Sequence, residues 1–142
     1  MNIIAAVAAT TLMTAFVSII KVITRQQLNV IRVLGTMLTG STTRDGGCSR
    51  RLGALALGTI VHYGVGLFFL FIYVYLWNHN VINTDWLTTT ILGFVTGLLG
   101  ITVWRIYLYI HARPPQVPLR LYLISILFAH VIFAWTVRWI LH

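Results

Sequence analysis

The sequence predicts an all-α integral membrane protein: a four-helix transmembrane bundle with a short amphipathic interfacial helix after the first span. Three observations lead there. Hydrophobic residues make up 58% of the chain and charged residues only 8%, against about a quarter charged in soluble domains, so water cannot be the main solvent. Four apolar runs each exceed the roughly 20 residues that cross the hydrocarbon of a bilayer. The basic residues gather between those runs. A length of 142 residues suits a single transmembrane domain.

The first span is expected over residues 2–23 and is rich in small residues: Ala5, Ala6, Ala8, Ala9 and Ala15. Small side chains let helices approach closely in lipid, where packing drives association. The apolar run resembles a secretory signal, but its first charge, Lys21, follows it instead of preceding it, so a retained helix is expected. In 26–40, Leu28, Ile31, Leu34 and Leu38 recur at helical spacing, with Asn29, Arg32, Thr36 and Thr39 on another face. That pattern predicts an interfacial helix on the inner leaflet, a re-entrant or cytoplasmic helix being the alternative. A polar loop at 41–51 leads to the second span, 52–77, and a short polar connection at 78–85 leads to the third, 86–110. Three prolines stiffen the turn at 111–118 before the fourth span, 119–141.

Charge sets the orientation. Lys21, Arg25, Arg32, Arg44, Arg50 and Arg51 lie between the first two spans, and Arg113 and Arg120 after the third, with Arg105 just before. The connection at 78–85 has no Lys or Arg. The positive-inside rule then puts both basic connections in the cytoplasm and both termini outside. Trp77, Trp86, Trp135 and Trp139 gather at the opposite side as an aromatic belt. Arg32, Arg44, Arg50, Arg51, Arg113 and Arg120 are placed to meet anionic lipid headgroups. The net charge of +8 is therefore read as lipid-directed; no basic soluble module exists to bind nucleic acid. Cys48, the only cysteine, reads as an ordinary loop thiol.

Ionisable residues inside spans are costly and mark candidate sites. Here they are His62, His130 and Arg138, with Arg105 near enough to a span end to snorkel. Thr14 and Thr96 are further polar residues expected inside the bundle. Gly58, His62 and Gly66 share one helical face, and so do His130, Ala134 and Arg138. By helix rise, His62 lies roughly 14 Å and His130 roughly 16 Å from the inner ends of their helices. Both are expected to face the bundle interior at similar depth, where unsatisfied ring nitrogens would be costly in lipid. Two imidazoles at one depth could hold a haem or a metal ion. The commoner arrangement is that each bonds a separate carbonyl, Ser or Thr, with Thr10, Thr14, Ser18, Thr96 and Ser125 available. Gly93 and Gly97 form a GxxxG pair suited to helix packing within the chain or to a dimer face.

The only carboxylates, Asp45 and Asp85, sit in loops, so no buried acid can relay protons or hold a hard cation. No serine-nucleophile, phosphate-loop or HExxH motif is present. Function is expected to be non-enzymatic: a scaffold, a small-solute pore or an accessory subunit. The alternative is a haem- or metal-binding redox protein using His62 and His130. Expected partners are membrane lipids, and a second copy or a larger membrane complex.

Three stretches together, 28–37 (LNVIRVLGTM), 58–66 (GTIVHYGVG) and 127–130 (LFAH), resemble a family of small four-helix bacterial inner-membrane proteins with histidines in the second and fourth helices. The resemblance covers most of the chain. It implies a bacterial cytoplasmic membrane and draws attention to His62 and His130, but no activity. The Pro114-Pro115 turn and the arginine-rich first loop depart from that pattern.

Overall fold

The computed structural model describes residues 3–142; the expected start of the first span at Asn2 lies outside the described residues. The chain forms α1 (Ile3–Thr24), α2 (Val30–Thr39), α3 (Leu52–Asn78), α4 (Trp86–Ile110) and α5 (Leu119–Leu141), with no strand among the described residues. The four long helices are long and apolar enough to cross a membrane, so the chain is a multi-pass membrane protein by helix length and composition. Side chains such as Ile4, Val22, Ile60 and Val103 stand largely exposed along them, a surface that hydrocarbon covers without penalty.

Local chemistry sets the ends. The Asn29 side chain caps α2 by accepting from the Arg32 N–H at 3.0 Å. Gly40 ends it in a left-handed turn at φ 59°, with the Gly40 and Ser41 N–H groups bonded to the Met37 and Thr36 carbonyls. Asp85 caps α4 through the Thr88 N–H at 2.9 Å. The prolines of 111–118 keep α4 and α5 separate.

In space the helices follow the order α2, α3, α1, α5, α4. The buried core divides into two clusters. One, around Ala9, Leu70, Tyr73, Phe133 and Val137, lies toward the 79–85 connection. The other, around Val17, Leu28, Val33, Tyr122 and Ala129, lies toward α2. The basic connections share one end: Thr42 donates to the Arg113 carbonyl at 2.6 Å, Gln116 N–H to the Gly46 carbonyl at 2.9 Å, and His111 Nε2 to the Met37 carbonyl at 2.9 Å.

Two sequence expectations change in detail. The buried face of α2 is Val30, Val33 and Met37 with Gly35 and Thr36, while Leu38 is exposed. Gly35 and Gly58 are responsible. A Cβ on Gly35 would lie 1.9 Å from the Ala54 carbonyl oxygen, and one on Gly58 2.2 Å from that of Ile31. The two backbones therefore touch, and this contact, more than the spacing of the leucines, orients α2. It also turns Thr36 inward, where its hydroxyl oxygen accepts from the Ser49 N–H at 2.8 Å. Trp77 leaves the expected aromatic belt for the core: it is 5% exposed and packs edge-on against Tyr73 and His142.

Candidate functional site

The Gly58–His62–Gly66 stripe of α3 is shared between two neighbours. Gly58 meets α2, and Gly66 meets α1, where an added Cβ would stand 2.0 Å from Thr10 Oγ1. This close approach to α1 puts His62 Nε2 2.9 Å from Thr14 Oγ1. Thr14 donates its one hydroxyl hydrogen to the Thr10 carbonyl at 2.7 Å, so its oxygen accepts and His62 Nε2 is the donor. The lone pair of a neutral His62 ring is then on Nδ1. On α5, His130 Nδ1 lies 2.8 Å from the carbonyl oxygen of Ile126. A carbonyl can only accept, so Nδ1 carries the hydrogen and the lone pair of a neutral ring is on Nε2. The Cε1–Nε2 edge of that ring rests over Gly100 of α4, where an added Cβ would sit 2.9 Å from Cε1. Phe69 meets the ring edge-on at 5.6 Å between centroids.

Both rings line one cavity of about 330 Å³. It exists because α3 and α4 are joined near one end and part toward the other. At the joined end the Tyr73 hydroxyl donates to Thr96 Oγ1 at 2.7 Å, and Thr96 passes its own hydrogen to the Leu92 carbonyl. The two helices make far less close backbone contact with each other than α4 makes with α5 or α3 with α2. Val65 and Phe68 of α3 and Leu99 and Val103 of α4 line the opening, and each is exposed at the flank of the bundle. Met13, Val17, Ile126 and Ala129 form the rear wall, and Val30 and Leu34 of α2 the floor. The imidazoles, Thr14, the Trp104 indole and the Tyr107 phenol are the polar features of a mostly apolar lining, the pattern of a small-molecule site.

The structure thus brings together His62, His130 and Thr14. Thr96 lies outside the cavity, at the bridge that closes its end. Arg138 is elsewhere: its guanidinium stacks 4.0 Å over the Trp86 ring and its Nε donates to the Thr84 carbonyl, which ties the end of α5 to the start of α4. Gly93 and Gly97 pack within the chain, against Val131 and Leu127 of α5. Arg44, Arg50, Arg51, Arg113 and Arg120 are exposed and Arg32 half-buried, at the α2 end. There the Thr43 hydroxyl holds the Asp45 carboxyl below its ordinary range, and burial raises the Cys48 thiol.

The haem and metal readings can be tested on the donors. Each ring has its N–H anchored on a fixed oxygen and a lone pair left over, which is how a metal-bound imidazole is held. Among the described residues, however, no group of three or more His, Cys, Asp or Glu converges on a point, so the two imidazoles have no third ligand of those types, and Met13 and Tyr107 are the other potential donors on the lining.

Sequence reasoning missed Tyr73, Phe69 and Trp104 as parts of the site. A Tyr within an apolar span is a usable signal for Tyr73, since its hydroxyl needs a partner in lipid; nothing in the sequence marks Phe69 or Trp104. No family model matches the chain, and no curated protein or solved structure is significantly similar to it.

Proposed function

We propose that this chain is a multi-pass protein of a bacterial cytoplasmic membrane, with both termini outside, that takes up a lipophilic molecule from the bilayer through the gap between α3 and α4. The cavity is the observation that carries this reading. It is mostly apolar, opens sideways where hydrocarbon meets the helices, and carries the two imidazoles and Thr14 on its lining. A small-solute pore is less well supported, because the opening is lined by Val65, Phe68, Leu99 and Val103. The reading is non-enzymatic: the protein stores, presents or senses its ligand, alone or as an accessory subunit of a membrane complex. The bacterial location rests on the family resemblance. The orientation rests on the positive charges at the α2 end, which also supply contacts to anionic headgroups.

Mass spectrometry of the protein released from detergent tests the cavity. A lipophile should be retained by the wild type and lost when Val65→Trp and Val103→Trp close the opening. Equal retention by the double variant, or none by either protein, would refute it. For orientation, single cysteines at positions 45 and 80 in a Cys48→Ser background should label from the cytoplasmic and the outer side respectively; the reverse pattern would invert the topology. A haem or metal between His62 and His130 is the second reading, favoured by their anchored N–H groups. An optical spectrum and metal analysis of the purified protein decide it.

A further inference from the structure

We infer that the molecule held in this cavity donates a hydrogen bond: it is a lipophile bearing a hydroxyl group, an alcohol or a phenol, and not one whose head only accepts. The inference rests on the lipophile reading above and concerns the chemistry of the head. Its basis is the hydrogen-bond geometry of the two rings. His62 spends its N–H on Thr14 and His130 spends its N–H on the Ile126 carbonyl. Thr14 in turn spends its hydrogen on the Thr10 carbonyl. Every N–H or O–H of these three cavity-lining side chains is therefore committed to protein. Neither ring faces an acid, since Asp45 and Asp85 lie in the connections.

What remains are two lone pairs, His62 Nδ1 and His130 Nε2, with no protein donor bonded to either among the described residues. A ligand O–H gives either lone pair the donor that the protein does not supply. At the rings a ketone, quinone, ester or ether would set oxygen lone pairs against nitrogen lone pairs, whereas a hydroxyl donates to a ring and still accepts from the Trp104 N–H or the Tyr107 O–H on the same lining. The cavity of about 330 Å³ lies at the lower end of the roughly 300–1,000 Å³ typical of small-molecule sites. That admits a ten-carbon alcohol or a single substituted ring, and a longer tail leaves between Val65 and Val103 into the bilayer.

Equilibrium binding to the protein in lipid nanodiscs, referenced to empty nanodiscs, tests this with four probes: decanol, a decyl-substituted hydroquinone, and the methyl ethers of both. Both hydroxyl compounds should bind at least ten-fold tighter than their ethers. Whichever hydroxyl compound binds tighter tells a long-chain alcohol from a phenolic source. His130→Leu removes one lone pair, and Gly100→Ala crowds the ring edge that carries it; each should bring the ratio of alcohol to ether affinity toward one. Should His130→Leu fail to fold, the wild-type ratio and His62→Leu still decide. Ethers binding as tightly as alcohols to the wild type would overturn the hydroxyl inference and leave the lipophile reading standing. No saturable binding of any probe would overturn that reading and the inference with it.

Discussion

The two sides of α4 behave differently. Toward α5 it presents Gly93, Gly97 and Gly100, and the helices close until Cβ atoms at those positions would stand 2.7–2.9 Å from Val131 Cα, Leu127 Cδ1 and His130 Cε1. Toward α3 it presents Leu99 and Val103, and the helices part. The glycines of α3 do not help: Gly58 faces α2, Gly66 faces α1, and Gly53 and Gly64 meet no neighbour. In lipid, helices gain little from burying apolar surface against one another, so close packing of small residues decides which pairs lock. Where neither partner offers a small-residue ridge, a gap is left, and in this protein the gap carries the histidines.

Breaking a closed face should have the largest effect. Gly35→Ala or Gly58→Ala places a methyl group within 1.9–2.2 Å of backbone oxygen, which cannot be relieved by turning a side chain. Overpacking of this kind costs typically 1–3 kcal/mol and sometimes more, and α2 should detach from α3, removing the cavity floor. Gly53→Ala and Gly64→Ala meet nothing within 4 Å and should be neutral or stabilising by up to about 1 kcal/mol, because alanine is the better helix former. Unfolding in mixed micelles measures the four side by side. Equal losses at all of them would mean that backbone proximity does not organise the bundle.

Next in size is the polar wall of the gap. Thr14→Val removes the acceptor of the His62 N–H and should cost about 1–3 kcal/mol. Nitrogen NMR should show the hydrogen on Nε2 of His62 in the wild type and a mixture of tautomers in the variant. A hydrogen on Nδ1 in the wild type would contradict the assignment made from the Thr10–Thr14–His62 chain. Tyr73→Phe should cost less, about 0.5–1.5 kcal/mol, since Thr96 keeps its bonds to the Leu92 and Gly93 carbonyls. It opens the bridge between α3 and α4, so lipophile exchange should quicken while the α4–α5 face is unaffected.

Much of this was legible in the sequence, for identifiable reasons. The long helices follow from four apolar runs and from caps such as Asp85, which depend on neighbours in sequence. The Gly58–His62–Gly66 face is simple arithmetic of helical spacing, and Thr14 and a carbonyl were among the partners foreseen for the histidines. The gap itself was not legible, because it depends on which helix each glycine faces, a property of the assembled bundle. The same holds for Thr36, which reads as surface by spacing but turns inward because Gly35 and Gly58 meet. Arg138 shares a face with His130 yet stays at the bundle end, where the Trp86 ring and the Thr84 carbonyl satisfy the guanidinium.

The smallest effect concerns the joined end of α3 and α4. Asp85 begins α4, and bonds from the Thr88 hydroxyl and N–H hold its carboxyl below the ordinary carboxylate range. A carboxyl whose folded value is depressed stabilises the fold fully above its unfolded value near 3.8 and loses that contribution as pH falls through the folded value. The group is exposed, so water screens it and the loss should be slight. Stability measured from neutral pH down to about pH 3 should therefore decline only at the acidic end. Asp85→Asn retains an oxygen for the Thr88 N–H and should flatten part of that decline, whereas Asp45→Asn, at the other end of the bundle, should leave the α4 start unaffected. Hydrogen exchange at Thr88 and Thr89 distinguishes the two: faster exchange on acidification of the wild type but not of Asp85→Asn locates the effect at the joined end. Unchanged exchange across the acidic range would show that the cap does not hold this end, and that the Tyr73–Thr96 bridge keeps α3 and α4 together without it.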